Sequence, residues 1–190
     1  MRKVIYAMSV SLDGFIETTH GDISWADPDE ELHNYFNERE RAIDIHIYGR
    51  RLYEAMAAYW PTADANPSAP EYEKEYARLW RSMPKVVFSK TLVQVGWNAR
   101  LVRGNIAEEV NQLKQQPGND MSVSGAELAS AFTQLGLIDE YWLYLHPVIL
   151  GGGKPMFGLL RAKLPLRLLE TRQFRRGVVL LRYAREQILL

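Results

Sequence analysis

The sequence predicts an α/β fold: a three-layer α/β/α sandwich whose central sheet is mostly parallel, with an antiparallel hairpin at its C-terminal edge. Three observations support this class. The segment from Val4 to Val10 is almost continuously apolar, which is typical of a strand buried on both faces. Segments with strand and helix patterns then alternate along most of the chain, as they do in parallel sheets. The last two predicted strands have no helix between them, so we expect them to pair as a hairpin.

The composition indicates a single globular domain over residues 1–190. Hydrophobic residues make up 47% of the 190 positions, enough for a substantial core. The 23 Lys and Arg residues balance the 23 Asp and Glu residues, so no net charge favours a nucleic acid or membrane partner. The absence of cysteine excludes disulfides and thiolate metal sites and fits a cytoplasmic protein. No apolar run reaches the roughly 18 residues of a membrane span.

The first half of the chain contains three predicted strands and three predicted helices. Asp27-Pro28-Asp29-Glu30 predicts a helix start in which Asp27 is the N-cap and Glu30 completes a capping box. Alternation from Ile43 to Ile47 predicts the second strand, and a helix follows it near Leu52. The other predictions here are a loop over residues 61–70, a helix from Glu71 to about Met83 and a strand from Lys85 to Ser89.

The second half begins with a short predicted strand at Leu101-Val102 and a helix capped by Asn105. A further strand and helix flank Ser124-Gly125-Ala126. The final predictions are a long strand from Tyr141 to Leu150, broken by a glycine loop, and two hairpin strands at Leu166–Glu170 and Val178–Tyr183.

Polar residues follow the ends of the predicted parallel strands. Ligands collect at the carboxyl ends of such strands, where the loops converge. These ends read Asp13-Gly14, Gly49-Arg50-Arg51, Ser89-Lys90-Thr91 and Ser124-Gly125-Ala126. Two of the four carry cations beside hydroxyls or backbone donors, which are the groups that bind phosphate. For each end taken alone, a solvated arginine or a polar turn is the alternative interpretation.

The turn at Ser124-Gly125-Ala126 has the form of a phosphate-binding turn. A short strand precedes it, and the amphipathic pattern of Leu128, Ala129 and Phe132 follows at once. Glycine adopts backbone angles closed to other residues, and the free N–H groups of a first helical turn attract anions. Small residues also end strands for steric reasons. The phosphate-binding interpretation of this turn therefore depends on the other strand ends.

Several segments resemble known reductases. IYGRRLYEAM resembles the Gly-Arg-Xaa-Thr helix start of the dihydrofolate reductase superfamily, and SLDGFI resembles its first strand end. The segments SVSGAELASAF and GLIDEYWLYLHPVILGGGKPMF are closer still to the reductase domain of bacterial riboflavin biosynthesis, the carboxyl-terminal part of the bifunctional RibD protein. The resemblance runs from Val4 to about Tyr183. It implies a dihydrofolate reductase-like fold, NADPH as hydride donor and a homodimer.

The resemblance also implies which residues hold NADPH. Arg50 with the residues from Ser89 to Thr91 would favour the 2′-phosphate of NADPH over NADH. The sequence departs from the family pattern at Leu52, where the family usually has threonine, and this change removes a hydroxyl from the helix start. The cofactor residues carried over by position are Gly49, Arg50, Arg51, Ser89, Lys90, Thr91, Ser124, Gly125 and Ala126.

Two carboxylates are candidates for the proton donor that a reductase requires. Dihydrofolate reductases place a carboxylate on the helix after a tryptophan-containing loop, and Glu30 lies nearest that position after Trp25. The alternative for Glu30 is the capping box, and Asp13 is the second candidate, which otherwise shapes its turn. No metal is predicted, because the histidines share no ligand spacing. These are His20, His33, His46 and His146.

The function that the resemblance implies is an NADPH-dependent reductase acting on a small nitrogen heterocycle. The nearest named activity is reduction of 5-amino-6-(5-phosphoribosylamino)uracil in riboflavin biosynthesis. Two alternatives stay open: reduction of dihydrofolate, and a non-catalytic, dimeric nucleotide-binding protein.

Overall fold

The computed structural model describes residues 1–158, 160 and 162–186. Its strands are β1 (Val4–Ser11), β2 (Phe15–Glu17), β3 (Ile43–Gly49), β4 (Lys85–Phe88), β5 (Ala99–Val102), β6 (Asp120–Ser124), β7 (Glu140–His146), β8 (Lys154–Pro155), β9 (Leu166–Gln173) and β10 (Val179–Arg185). Its helices are α1 (Glu30–Glu40), α2 (Arg50–Tyr59), α3 (Glu71–Ser82), α4 (Ile106–Gln115) and α5 (Ala126–Gln134).

Eight of these strands form the central sheet, in the order β5-β4-β3-β6-β1-β7-β10-β9. The pairs from β5 to β7 are parallel. Strand β10 runs antiparallel to β7, and β9 runs antiparallel to β10 at the edge. The predicted mostly parallel sheet with an antiparallel hairpin is therefore confirmed. A second sheet, which pairs β2 with β8, is not predicted from the sequence, because two or three residues are too few to show a strand pattern.

The alternation of side chains along β1 explains why helices cover both faces of the sheet. Val4, Tyr6 and Val10 belong to one buried cluster, which includes residues of α4 and α5. Ile5 points to the opposite face and packs with residues of α1. Helix α2 packs on this second side through Tyr53, in a smaller cluster with residues of β3 and β4. These layers leave the carboxyl ends of the parallel strands facing one edge of the molecule.

Two predicted boundaries are wrong, and each has a local cause. Helix α1 begins at Glu30 and is capped by Asp29, whose side chain accepts a hydrogen bond from the Leu32 N–H. Asp27 cannot be the cap because its backbone closes the preceding 3₁₀ turn, so the predicted capping box does not form. Strand β7 ends at His146 rather than Leu150, because the chain turns at Pro147. The loop over residues 61–70 also begins with a 3₁₀ helix.

Lys85 is a buried cation at the start of β4. Only 2% of its surface is exposed, and its ammonium lies 4.1 Å from the centre of the Trp80 ring. Its Nζ donates hydrogen bonds to the carbonyl oxygens of Trp80, Met83 and Trp97. Burial lowers the pKa of Lys85 from 10.5 to about 8.

This shifted pKa predicts an unusual pH dependence of stability. The folded protein holds the Lys85 proton less tightly than the unfolded chain does, so the free energy of unfolding should rise as pH increases from about 8 towards 10. The rise attributable to Lys85 is at most about 1.4 kcal/mol per pH unit. Urea unfolding at pH 8 and 9.5, for the wild type and Lys85→Met, measures it as a difference, which cancels the contribution of buried tyrosines. Parallel curves for the two proteins would contradict this prediction.

Candidate functional site

A cavity of about 790 Å³ opens at the carboxyl ends of the parallel strands. Its size lies within the range of small-molecule and cofactor sites. Met8 of β1 and Ile16 of β2 form an apolar part of the wall, and Phe88 of β4 contributes to it. The charged lining residues are Glu17, Arg50, Arg51, Lys90, Arg103, Glu127 and Lys154. The cavity therefore combines an apolar surface with a group of cations.

Most of the residues predicted to hold a cofactor line this one cavity. The two exceptions are Thr91 and Ser124, which lie beside it. Thr91 is connected through its Oγ1, which accepts a hydrogen bond of 2.9 Å from Arg50. Ser124 ends β6 directly before the lining residue Gly125. The predicted residues in the lining are Gly49, Arg50, Arg51, Ser89, Lys90, Gly125 and Ala126. Their assignment to a cofactor stays a prediction.

Two helices begin at the cavity with glycine at the N-cap. Gly49 precedes α2 and Gly125 precedes α5, and neither helix start receives a side-chain hydrogen bond at its cap. Their first-turn N–H groups are therefore left for water or an anion. Gly125 has φ +96, a backbone angle that other residues adopt only with strain. Leu52 of α2 lies next to it, since a Cβ on Gly125 would be 3.8 Å from the Leu52 Cβ.

The loop after β4 is held in place by hydrogen bonds. The Ser89 hydroxyl accepts the N–H groups of Thr91 and Leu92 at 3.2 and 3.0 Å. Arg103 donates to the Leu92 carbonyl at 2.5 Å from the other side. Arg50 is shared between this loop and its own helix, because it also pairs with Glu54 at 3.0 Å. The loop thus presents Ser89 and Lys90 to the cavity in a defined conformation.

Sequence reasoning missed four charged residues of the lining. Arg103 follows the end of β5, so the same strand-end rule would have found it. Glu127 comes directly after the predicted turn. Lys154 lies in the glycine loop, which the resemblance places at the substrate side or at a dimer contact, but Lys154 itself is not predicted as a site residue. Only the pairing of β2 with β8 brings Glu17 and Lys154 to the cavity.

Asp13 stabilises a loop and does not line the cavity. Its Oδ1 accepts hydrogen bonds from the Ser11 hydroxyl at 2.6 Å and the Leu150 N–H at 3.1 Å, and its Oδ2 accepts from the Gly151 N–H at 2.8 Å. The Ser11 hydroxyl, followed by the two N–H groups, lowers the pKa of the Asp13 carboxyl. A carboxyl that stays ionised is a poor proton donor, and the hydrogen bonds of Asp13 hold the glycine loop. A catalytic role for Asp13 stays an untested prediction.

Glu30 is exposed at the first position of α1 and is absent from the cavity lining. Two other acidic residues of this region, Asp27 and Asp29, line a smaller cavity of about 140 Å³ together with Trp25 and His146. Glu30 is not among the residues that line this smaller cavity. Nothing in the geometry supports Glu30 as a proton donor, and that role stays an untested prediction.

His146 is a hydrogen-bonded core residue. It is 4% exposed, and its Nε2 lies 3.1 Å from the Ser9 Oγ. Burial lowers the pKa of His146. Within the described part of the chain, no three His, Asp or Glu side chains are grouped to hold a metal ion. In that same part, no helix is long and apolar enough to cross a membrane.

The described residues have an α/β fold of the dihydrofolate reductase type, with the cavity at the strand ends. The chain belongs to the RibD C-terminal domain family, whose model matches residues 2–180. It is 39% identical to the uncharacterised protein YyaP of Bacillus subtilis (strain 168) over 185 residues, which is 96% of this chain and 94% of YyaP.

Two solved structures show the same fold. A putative riboflavin biosynthesis protein from Shewanella sp. PV-4 matches with a TM-score of 0.78 and 22% identity, over 98% of this chain and 100% of that one. Dihydrofolate reductase from Enterococcus faecalis, in a complex with NADP(H), matches with a TM-score of 0.63 and 10% identity, over 97% of each chain. The predicted family and fold are therefore confirmed, and the family indicates an oxidoreductase.

Proposed function

We propose that this protein is an NADPH-dependent reductase of a small nitrogen heterocycle. The observation that carries the proposal is the single cavity that gathers residues from the ends of β3, β4 and β6 beside an apolar wall from β1 and β2. The family and its reductase neighbours point to the same chemistry. The nearest substrate class is 5-amino-6-(5-phosphoribosylamino)uracil, and the resemblance extends the proposal to a homodimer of one domain per chain.

The residues of the cavity fit a phosphorylated dinucleotide. The glycine-capped starts of α2 and α5 would hold its diphosphate through backbone N–H groups. Ser89, Lys90 and Arg50, with Thr91 behind it, would hold the 2′-phosphate through charge-assisted hydrogen bonds. The apolar wall at Met8 and Ile16 would exclude water from the reacting ring. When bound, NADPH supplies the hydride.

Reduction of dihydrofolate is less well supported. That activity requires a carboxylate committed to a pterin ring, and the candidate for it, Glu30, is exposed outside the main cavity.

A non-catalytic nucleotide-binding protein would keep the cavity but lack turnover. Incubation with NADPH and 5-amino-6-(5-phosphoribosylamino)uracil, followed at the NADPH absorbance band, distinguishes the proposed reductase from a non-catalytic protein. Binding of NADPH without oxidation of it, across oxidised pyrimidine and pterin substrates, would favour the non-catalytic protein.

Lys90→Ala should weaken NADPH binding much more than NADH binding. The lost contact is a charge-assisted one to the 2′-phosphate, worth about 1.5 kcal/mol, or roughly tenfold in affinity. Arg100→Ala is the matched control, because Arg100 pairs with Glu109 and does not line the cavity. Dissociation constants from tryptophan fluorescence measure the effect. Equal losses of affinity for NADPH and NADH would show that Lys90 does not contact the 2′-phosphate.

A further inference from the structure

A row of four charged side chains crosses the cavity lining, and we call it the mouth clasp: Arg51, Glu127, Lys154 and Glu17. Arg51 pairs with Glu127 at 3.0 Å. Lys154 Nζ lies 3.8 Å from the Glu127 Oε1 and 3.8 Å from the Glu17 Oε1. The four residues come from α2, α5, β8 and β2, and all of them line the cavity. The clasp therefore links both glycine-capped helices to the β2–β8 ribbon.

Glu127 is the central member of the clasp. It is the second residue of α5, in the first turn of a helix whose glycine cap supplies no acceptor. A negative charge at this position is favoured by the helix dipole. Its carboxylate also has a cation on either side. The carboxylate of Glu127 thus lies at the start of α5. On the proposed function, this helix start receives the diphosphate.

The pairs of the clasp hold this carboxylate only weakly. The Arg51 and Glu127 side chains are 82% and 72% exposed, and exposed ion pairs contribute little to stability. Lys154 is 31% exposed, and its distances to both glutamates exceed those of a hydrogen bond. A doubly charged diphosphate would interact with the same cations more strongly than one carboxylate does.

We propose that Glu127 stands in for a ligand diphosphate, and that Arg51 and Lys154 are the cations that bind the diphosphate once it displaces Glu127. This inference rests on the proposed function and deepens it, because it assigns Lys154 to the ligand. Glu127 turns outwards into solvent when the diphosphate enters. Glu17 keeps its contact with Lys154 and holds the ribbon, and its lysine, at the cavity.

The proposal predicts that removing an acidic residue tightens the binding of an acidic ligand. Glu127→Gln leaves Arg51 and Lys154 without a competing charge, so the dissociation constants of NADPH, NADH and ADP-ribose should each fall about threefold to tenfold. ADP-ribose is included because it carries the diphosphate without the nicotinamide ring or the 2′-phosphate. Lys154→Met should raise all three dissociation constants at least tenfold. Lys154→Arg, which keeps the positive charge, should recover most of the lost affinity.

The controls separate a local charge effect from a general one. Glu109→Gln removes a glutamate of equal charge from α4, outside the cavity lining, and should leave all three constants unchanged. Isothermal titration calorimetry at fixed ionic strength gives the constants. Thermal unfolding of each variant establishes that its fold is intact, and Glu127→Gln carries the test alone if Lys154→Met is unstable.

Each outcome decides the proposal. Equal or weaker ADP-ribose binding by Glu127→Gln, or unchanged binding by a folded Lys154→Met, overturns it. If the wild type binds none of the three ligands while Glu127→Gln binds ADP-ribose, the inference stands and the proposed use of NADPH falls. If neither protein binds any of them, both fall. Tighter NADPH binding by Glu127→Gln without tighter ADP-ribose binding also overturns it, because the displaced charge would then belong to another phosphate.

Discussion

Glu140→Ala is expected to lower the free energy of unfolding by about 3 kcal/mol. Glu140 is 2% exposed at the start of β7. Its carboxylate accepts hydrogen bonds from Lys3 Nζ at 2.6 Å, Trp142 Nε1 at 2.8 Å and Arg182 at 3.2 Å. Removing it leaves a buried indole N–H and part of a guanidinium without their acceptor, which is the costly way to break such a group. Chemical unfolding with urea measures the change.

Glu170→Ala is the matched control for this change. Glu170 also accepts from Arg182, at 2.6 Å, but it lies on the edge strand β9 with 38% of its side chain exposed, so its loss should cost only about 1 kcal/mol. Equal losses for the two variants would contradict the account of the Glu140 network.

Glu140 also predicts part of the acid sensitivity of the protein. Burial alone would raise the pKa of Glu140, but hydrogen bonds from Lys3, Trp142 and Arg182 outweigh it and leave that pKa below its usual value. The stabilisation is therefore complete above the pKa of the unfolded chain and is lost as pH falls through the lower folded value. Glu140→Ala should show a smaller loss of stability than the wild type between pH 5 and 3, roughly the window of carboxyl titration.

Gly125→Ala is expected to weaken NADPH binding at least about tenfold, or roughly 1.4 kcal/mol. At φ +96, an alanine would strain the backbone by about 1–2 kcal/mol, and the turn relieves this strain by rotating the first N–H groups of α5. Those N–H groups are the proposed diphosphate donors. A Cβ at this position would meet only Leu52, at 3.8 Å, so the protein should still fold.

Gly14→Ala separates strain from binding. Gly14 has a similar backbone angle, φ +90, no atom within 4 Å of an added Cβ, and no place in the cavity lining. Both variants should lose a similar amount of stability, while only Gly125→Ala loses affinity for NADPH. An affinity loss in both would mean that strain, rather than the helix start, controls binding.

The sequence predicted the fold well where a pattern extends over several residues. The apolar run of β1, the alternation of β3 and the helix of α4 behind its cap Asn105 are all found, and the Asn105 side chain accepts the predicted hydrogen bond from the Ala107 N–H. The start of α1 was misjudged because two aspartates two residues apart both have the chemistry of an N-cap. The choice between them depends on the 3₁₀ turn that ends at Asp27.

Only those residues of the candidate site that follow the ends of parallel strands could be predicted from the sequence. Gly49, Lys90 and Gly125 could be found from their own strands, since parallel strands deliver their ends to one edge. Glu17 and Lys154 could not, because a ribbon of a few residues places them, and its pairing joins segments more than a hundred positions apart. The partners of Asp13 were equally hidden, since its carboxylate accepts hydrogen bonds from amides of a loop that is distant in sequence.

Titration of the purified protein with NADPH, NADP⁺ and NADH, followed by the fluorescence of its five tryptophans, shows whether the cavity binds a 2′-phosphorylated dinucleotide. We expect saturable binding of all three, with NADPH and NADP⁺ at least about tenfold tighter than NADH, or roughly 1.4 kcal/mol. No binding of any of the three, or equal affinity for NADPH and NADH, would contradict a cavity built for a 2′-phosphorylated dinucleotide.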